Sequence, residues 1–139
     1  MARRRNKAKD LPPAEATVTD LDHDGRGVGR VEDKVVFIDG ALPGERVRFQ
    51  YTRTGRQYDQ GRVLEVLEPA AERSEPACPY FGLCGGCALQ HLAPAAQVTA
   101  KERVLAENLR REGGTEPEQW LAPITGPDWG YRAKARLGI

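Results

Sequence analysis

The only three cysteines of this 139-residue chain, Cys78, Cys84 and Cys87, fall within the stretch Cys-Pro-Tyr-Phe-Gly-Leu-Cys-Gly-Gly-Cys. That crowding puts three thiols within reach of one small object. Gly85 and Gly86 let the backbone turn tightly around it, because glycine tolerates positive φ and close approach. Three thiolates on a glycine-rich loop suit a soft metal ion or an iron–sulfur cluster. The odd count, with no secretory signal, argues against a disulfide framework. Three thiols that merely pack are the bland alternative, but a stretch carrying Pro79, Gly82, Gly85 and Gly86 makes a poor core segment. Two metal readings stay open on these residues. A 4Fe-4S cluster takes four thiolates, and the sequence offers three. Zinc is closed locally if His91, four positions after Cys87, joins them. The x5 then x2 spacing departs from the two-plus-two arrangement common at zinc knuckles.

Aromatic residues make up 6% of the chain and charged residues 29%, beside ten prolines and fifteen glycines. Such a composition gives a loop-rich protein with modest core material, one ordinary domain or two small ones, in the size range where a metal often supplies stability. No apolar run approaches the roughly 20 residues of a membrane span. The basic N-terminus lacks the apolar stretch of a signal peptide, so a cytoplasmic protein, monomeric and without membrane contact, is expected. The net charge of +1 does not announce a nucleic-acid binder. Its distribution says more. Residues 1–11 carry Arg3, Arg4, Arg5, Lys7 and Lys9, which reads as a disordered basic arm able to lie along phosphates or to act as a solubilising tail. Pro12-Pro13 ends it.

Residues 12–69 read as five short strands. Thr17 to Leu21 alternates and leads into the turn cluster Asp22-His23-Asp24-Gly25, where His23 reads as an ordinary surface histidine. Gly27 to Val31 and Lys34 to Ile38 form a hairpin across Glu32-Asp33. Asp39-Gly40 and Pro43-Gly44 are turn dipeptides. Glu45 to Arg53 places Val47, Phe49 and Tyr51 on one face and Arg46, Arg48 and Gln50 on the other. Gln57 to Leu67 closes the set. Five such strands predict a small closed or partly open barrel of the OB type, which binds single-stranded nucleic acid through a basic groove and stacking aromatics. Candidates are Arg46, Arg48, Arg53, Arg56 and Arg62, with Tyr51 or Tyr58 to stack; Asp39, Glu45 and Asp59 dilute the patch.

Residues 70–139 hold the cysteine loop, a helix and a strand. Pro94 to Glu112 reads as one amphipathic helix, started by Pro94 and stopped by Gly113-Gly114, with Val98, Leu105 and Leu109 forming its packing stripe. The last stretch alternates, Tyr131, Ala133, Ala135 and Leu137 against Arg132, Lys134 and Arg136. Three cations on one strand face make that face a second candidate RNA surface.

Cys-Pro-x-Phe-Gly-x-Cys-Gly-Gly-Cys followed by Leu89-Gln90-His91 resembles the cluster-binding segment of bacterial 23S rRNA (uracil-5-)-methyltransferases. Val18 to Leu67 resembles the TRAM module that precedes the cysteines in that family, and Trp129 to Leu137 resembles the stretch that opens its next sheet. The resemblance implies a mainly β chain with an α+β remainder: an OB-like TRAM barrel, a cysteine-loop and helix segment, and the start of a truncated central domain. It implies that Cys78, Cys84 and Cys87 ligate a 4Fe-4S cluster whose fourth thiolate lies elsewhere. It further implies that the complete enzyme methylates C5 of a ribosomal RNA uridine with S-adenosylmethionine, after a thiolate adds to C6 and before a base removes the C5 proton. The S-adenosylmethionine domain, nucleophile and base of that family have no matching positions here, so these residues are expected to hold RNA and cluster and to be inactive alone. A stand-alone zinc-stabilised RNA-binding module, with His91 as ligand, is the alternative. A radical S-adenosylmethionine enzyme is set aside, because its cysteines follow an x3 then x2 spacing and its TRAM module comes last.

Overall fold

A computed structural model describes residues 7–134; Arg3, Arg4, Arg5 and Arg136 lie outside the described residues. Five strands follow in order: β1 (Ala14–Leu21), β2 (Gly27–Val31), β3 (Lys34–Asp39), β4 (Arg46–Thr54) and β5 (Tyr58–Glu68). They close into a barrel of order β1-β2-β3-β5-β4, in which β3 and β5 run parallel and the other pairs antiparallel. This is the OB arrangement expected of five short strands with glycine-rich turns. Alternation carries the core. Val18, Val36, Ile38, Val47 and Phe49 point inward and are essentially buried, with Ala16 and Ala41 filling between them. So small a barrel needs glycine where side chains converge: a Cβ on Gly61 would collide with the Phe49 ring, and one on Gly27 would meet Ala41 and Val18 at 2.8 Å. The β2–β3 turn takes positive φ at both Glu32 (47°) and Asp33 (67°), as a two-residue hairpin turn matching strand twist requires.

After β5 the chain leaves the barrel and returns to its rim. Arg73 and Leu92 pair in an antiparallel bridge. Ser74 N–H donates to His91 C=O at 2.9 Å and Ala93 N–H to Glu72 C=O at 2.9 Å. Residues 74–91, with all three cysteines, therefore form a loop pinned at its base. Leu92 is buried with Leu21 and Leu42 against Ala70, Leu89, Ala96 and Ala100, a second cluster that joins barrel rim, loop and helix.

The join is centred on Glu45, which is completely buried. Arg73 grips it bidentately, Nε to Oε1 at 2.6 Å and Nη2 to Oε2 at 2.9 Å, and Nη2 also reaches the Gly40 carbonyl at 2.7 Å. The Leu42 and Ala70 amides donate to the same carboxylate at 2.9 and 3.2 Å. Burial alone would raise the Glu45 pKa, but the Arg73 and amide hydrogen bonds outweigh it and hold it below the ordinary value. His91 is also buried, its ring 5.2 Å from that of Phe81 and both nitrogens without a hydrogen-bond partner. Burial, and then the charge of Arg73, push its pKa down to about 4, with Glu45 opposing in part.

The final helix, α1 (Pro94–Arg111), starts with Pro94 in its first turn, and Gln97 Nε2 binds the Leu89 and Leu92 carbonyls at 2.9 and 2.8 Å. Three expectations need correction. The helix packs through Ala96 and Ala100, whereas Leu105 is 51% exposed and Val98 and Leu109 are half-buried; small side chains allow the close approach that the larger stripe prevents. Within the basic arm, Lys7–Asp10 form a 3-10 turn against β4, with Ala8 buried and the Leu11 carbonyl accepting from Gln50 Nε2 at 2.9 Å. Trp129 to Lys134 are irregular and exposed rather than extended in a sheet. A strand needs a neighbour to take its backbone groups, and none lies beside these residues among those described.

Replacing Arg73 by alanine leaves a buried carboxylate uncompensated and should cost about 3–5 kcal/mol in chemical denaturation. A Glu45→Gln, Arg73→Met double variant should lose clearly less than Arg73→Ala; equal losses would remove the charge pair as the cause. His91 gives a pH signature. A base whose folded pKa is depressed binds fewer protons folded than unfolded, so its contribution is complete above about pH 6.5 and drains as pH falls towards about 4. Glu45, also lowered, adds to the loss further down in acid. Denaturation at about pH 7 and about pH 5 should differ by roughly 1–2 kcal/mol, and a His91→Phe variant should lose most of that difference.

Candidate cluster site and nucleic-acid interface

Local bonds shape the cysteine loop. Phe81 N–H donates to the Cys78 carbonyl at 3.1 Å, and the Leu83 and Cys84 amides donate to the Tyr80 carbonyl at 3.0 and 3.1 Å. These close one turn between the first two cysteines. Gly85 takes φ of 70°, and Gly86 N–H points at Cys84 Sγ at 3.4 Å. Gln90 Oε1 accepts from Cys78 N–H at 3.3 Å, and Ser74 Oγ donates to the Gln90 carbonyl at 3.2 Å. Gly25, at φ of 79°, leaves room for Leu89 to seat against the β1–β2 loop.

All three thiols are free; Cys78 is half-buried and Cys84 and Cys87 are exposed. No three of Cys78, Cys84, Cys87 and His91 bring their ligand atoms within 4.8 Å of one another. On one zinc ion, with Zn–S of about 2.3 Å, tetrahedral ligands stand within about 4 Å of each other. In a cluster each thiolate takes its own iron, so the sulfurs stand further apart. Three thiols on one loop are donors of the soft kind that both zinc and an iron–sulfur cluster take. His91, the candidate fourth zinc ligand, has its ring packed on Phe81 and buried, with neither nitrogen hydrogen-bonded.

The one such group among the described residues is Asp22, His23 and Asp24. Asp22 is already committed, accepting from the Asp24 and Arg26 amides and from Arg26 Nε at 2.8 Å, with Arg26 Nη2 at 2.6 Å. Burial lowers and these acids more strongly raise the Arg26 pKa, so it stays charged. This is turn architecture, and His23 is exposed beside Asp24, as expected.

The arginines named from the sequence fall into three places. Arg46 and Arg48 point outward from β4 and are ion-paired across to β5, with Glu68 at 3.3 Å and Glu65 at 2.7 Å. Arg53, Arg56 and Arg62 are exposed and make no ion pair among the described residues. Arg132 and Lys134 are exposed on the irregular C-terminal stretch, and Arg132 lines a cleft of about 690 Å³ with Cys87 and Lys101. They do not form one continuous face. The acids expected to dilute the barrel patch are mostly out of reach: Glu45 is sealed beneath Arg73, and Asp59 is buried against Lys34 Nζ at 2.7 Å. Only Asp39 remains exposed. Tyr51 is half-buried against Phe49, with ring centroids 5.0 Å apart, whereas Tyr58 is 41% exposed. Sequence reasoning missed Glu45 and Arg73. Neither sits in a motif, and only their joint burial marks them.

The barrel and the loop both have known counterparts. Residues 14–64 match the TRAM domain. A 23S rRNA (uracil(1939)-C(5))-methyltransferase RlmD from Nitrosococcus oceani is 54% identical over 136 residues, 97% of this chain and 30% of that protein. Proteins of the same name from Alkalilimnicola ehrlichii and Alcanivorax borkumensis are 51% and 50% identical over 141 residues, 100% of this chain and 31% of each of them. The chain thus spans about three-tenths of the length of these relatives. Residues 14–64 carry the TRAM match, and nearly the whole chain is homologous to a part of proteins named 23S rRNA (uracil(1939)-C(5))-methyltransferase RlmD.

Proposed function

We propose that the protein carrying this chain methylates C5 of a uridine in ribosomal RNA with S-adenosylmethionine, and that these residues serve it as the RNA-holding and cluster-bearing part. The observation that carries the reading is the TRAM barrel joined through a buried ion pair to a three-cysteine loop, in a chain about 50% identical to rRNA methyltransferases. Relatives are about three times as long as the aligned segment. The S-adenosylmethionine site and the attacking thiolate are assigned to the remainder, since all three thiols here are assigned to the cluster. A cytoplasmic location and a monomeric state are part of the same reading; no helix among the described residues is long and apolar enough to cross a membrane.

In this reading Cys78, Cys84 and Cys87 hold three irons of a 4Fe-4S cluster, and a fourth thiolate comes from elsewhere in the protein. When bound, the cluster cross-links distant parts of the chain. The loop's own bonds prepare for it: the turn on Tyr80 sets Cys78 and Cys84, Gly85 turns the chain towards Cys87, and Gln90 holds Cys78 from behind. The same loop keeps Arg62 and Arg132 on two sides of Cys87, so phosphates bound by those cations would run beside it. Residues 1–11, 12–69 and 70–139 are assigned as basic arm, RNA-binding barrel and cluster-bearing segment; Arg53, Arg56, Arg132, Lys134 and Arg136 are the proposed RNA contacts, while Arg46 and Arg48, candidates in the sequence, are engaged by Glu68 and Glu65.

Full-length protein purified without oxygen should carry about four irons and matching acid-labile sulfide, and should transfer labelled methyl from S-adenosylmethionine to C5 of uridine in ribosomal RNA. Cys84→Ser should remove most of the iron. One zinc without sulfide would sink the cluster assignment, and methylated RNA bases other than 5-methyluridine would sink the reaction.

A further inference from the structure

Among the described residues, His91 is the buried side chain whose polar atoms have no partner. It is 2% exposed, and neither Nδ1 nor Nε2 meets a hydrogen-bonding group. The other buried polar side chains are engaged, Glu45 by Arg73 and Asp59 by Lys34 and the Gly55 amide. A phenylalanine would pack on Phe81 without leaving two polar atoms dry, so packing alone does not account for an imidazole here. The surroundings say what partner it suits. The Arg73 guanidinium is committed to Glu45 and the Gly40 carbonyl, and the Glu45 carboxylate to Arg73 and two amides. The His91 ring lies on Phe81 at a tilt of 37°, 5.2 Å between centroids. Phe81 stands midway in the chain between Cys78 and Cys84. His91 also lines, with Cys87, a cleft of about 390 Å³. The ring is thus held against the segment that joins the first two thiols and borders the same cleft as the third. Its backbone is fixed at the loop's base, where the His91 carbonyl accepts from Ser74 N–H at 2.9 Å and Leu92 is buried with Leu21 and Leu42.

We propose that His91 is a positioning residue of the metal centre: it donates an N–H hydrogen bond to sulfur of the cluster held by Cys78, Cys84 and Cys87, and does not itself bind iron. The inference rests on the cluster reading of these thiols, and it gives a role to a residue that spacing alone offers as a zinc ligand. Sulfur is the acceptor that the cysteine loop brings to this ring, and the sulfurs of a cluster carry negative charge that a donor relieves. Burial, and then Arg73, hold the imidazole neutral with its pKa down at about 4. A neutral imidazole carries one N–H, so it brings one hydrogen bond and no charge. The loop already shows one donor of this kind, Gly86 N–H at 3.4 Å from Cys84 Sγ. His91 supplies another from the barrel side. A hydrogen bond to sulfur favours the reduced, more negative state of a cluster, so its loss moves the potential downward.

The test uses full-length protein purified without oxygen, as the parent and as His91→Phe, His91→Gln and His91→Asn. Phenylalanine keeps a ring against Phe81 and removes the donor, whereas the amides of glutamine and asparagine place an N–H near the Nε2 and Nδ1 positions. Iron, acid-labile sulfide and the midpoint potential of the cluster are measured for each. His91→Phe should keep the parent's iron and sulfide and shift the potential to a more negative value, and one of the amide variants should bring it back. In parent protein grown on histidine labelled with the heavy nitrogen isotope, the reduced cluster should show a magnetic coupling to that nitrogen, and His91→Phe should abolish it. Absence of the coupling in the parent overturns the inference however the variants fold. An unchanged potential in His91→Phe at full iron content overturns it too. Iron lost alike from His91→Phe and from both amide variants makes His91 a ligand, which again overturns it. Parent protein with zinc and no sulfide overturns the cluster reading itself.

Discussion

The buried pair of Glu45 and Arg73 is the constraint from which the rest of the arrangement follows. A carboxylate at full burial is tolerable only when charge and hydrogen bonds replace lost water. Here a bidentate guanidinium and the amides of Leu42 and Ala70 do so. Those partners come from the β3–β4 connection and from the chain just after β5, so satisfying one side chain brings two distant segments to one point. An apolar contact there would add cohesion but would accept small slides and rotations. A planar fork on a carboxylate, with a further bond to the Gly40 carbonyl, accepts one pose.

From that pose the position of the cysteine loop follows. Arg73 starts the bridge to Leu92, Leu92 fills the pocket left by Leu21 and Leu42, and the loop between them stands on the barrel's rim. Cys87 then borders two clefts, one shared with Arg26 and Arg62, the other with Lys101 and Arg132. Thiols and cations become neighbours without any shared sequence motif. His91 sits under the same loop with its ring against Phe81.

Much of the barrel was legible from residues alone. Turn dipeptides such as Asp39-Gly40 and Pro43-Gly44, and the alternation of Val47 and Phe49 with Arg46 and Arg48, are local signals whose period matches the strand. The cysteine loop was legible for the same reason, since its ligands lie close in the chain. What misled was burial that alternation does not report. Glu45 and Asp59 look like ordinary surface acids beside the arginines, yet one is sealed by Arg73 and the other by Lys34. In α1 the large residues Val98, Leu105 and Leu109 suggested the packing stripe, and the small residues Ala96 and Ala100 took it. Side-chain size favours the first in any hydrophobic count; the distance at which a helix can approach the rim favours the second.

By itself the sequence determined the elements and the chemistry on offer: five strands with their inward residues, one helix begun by Pro94, three thiols on a glycine-rich loop, and a supply of arginines. These are set by short-range backbone preferences and by side-chain identity, which do not depend on distant partners. Tertiary structure decided which charges remain available and what they stand beside. The closure of β5 onto β3 and β4 gave Arg46 and Arg48 carboxylates to pair with, set Arg62 in register with Asp39 without an ion pair, and put Tyr58 one row from Phe37. Only strand register and long-range burial carry that information, because electrostatic pairing and aromatic contact act through space and are indifferent to distance along the chain.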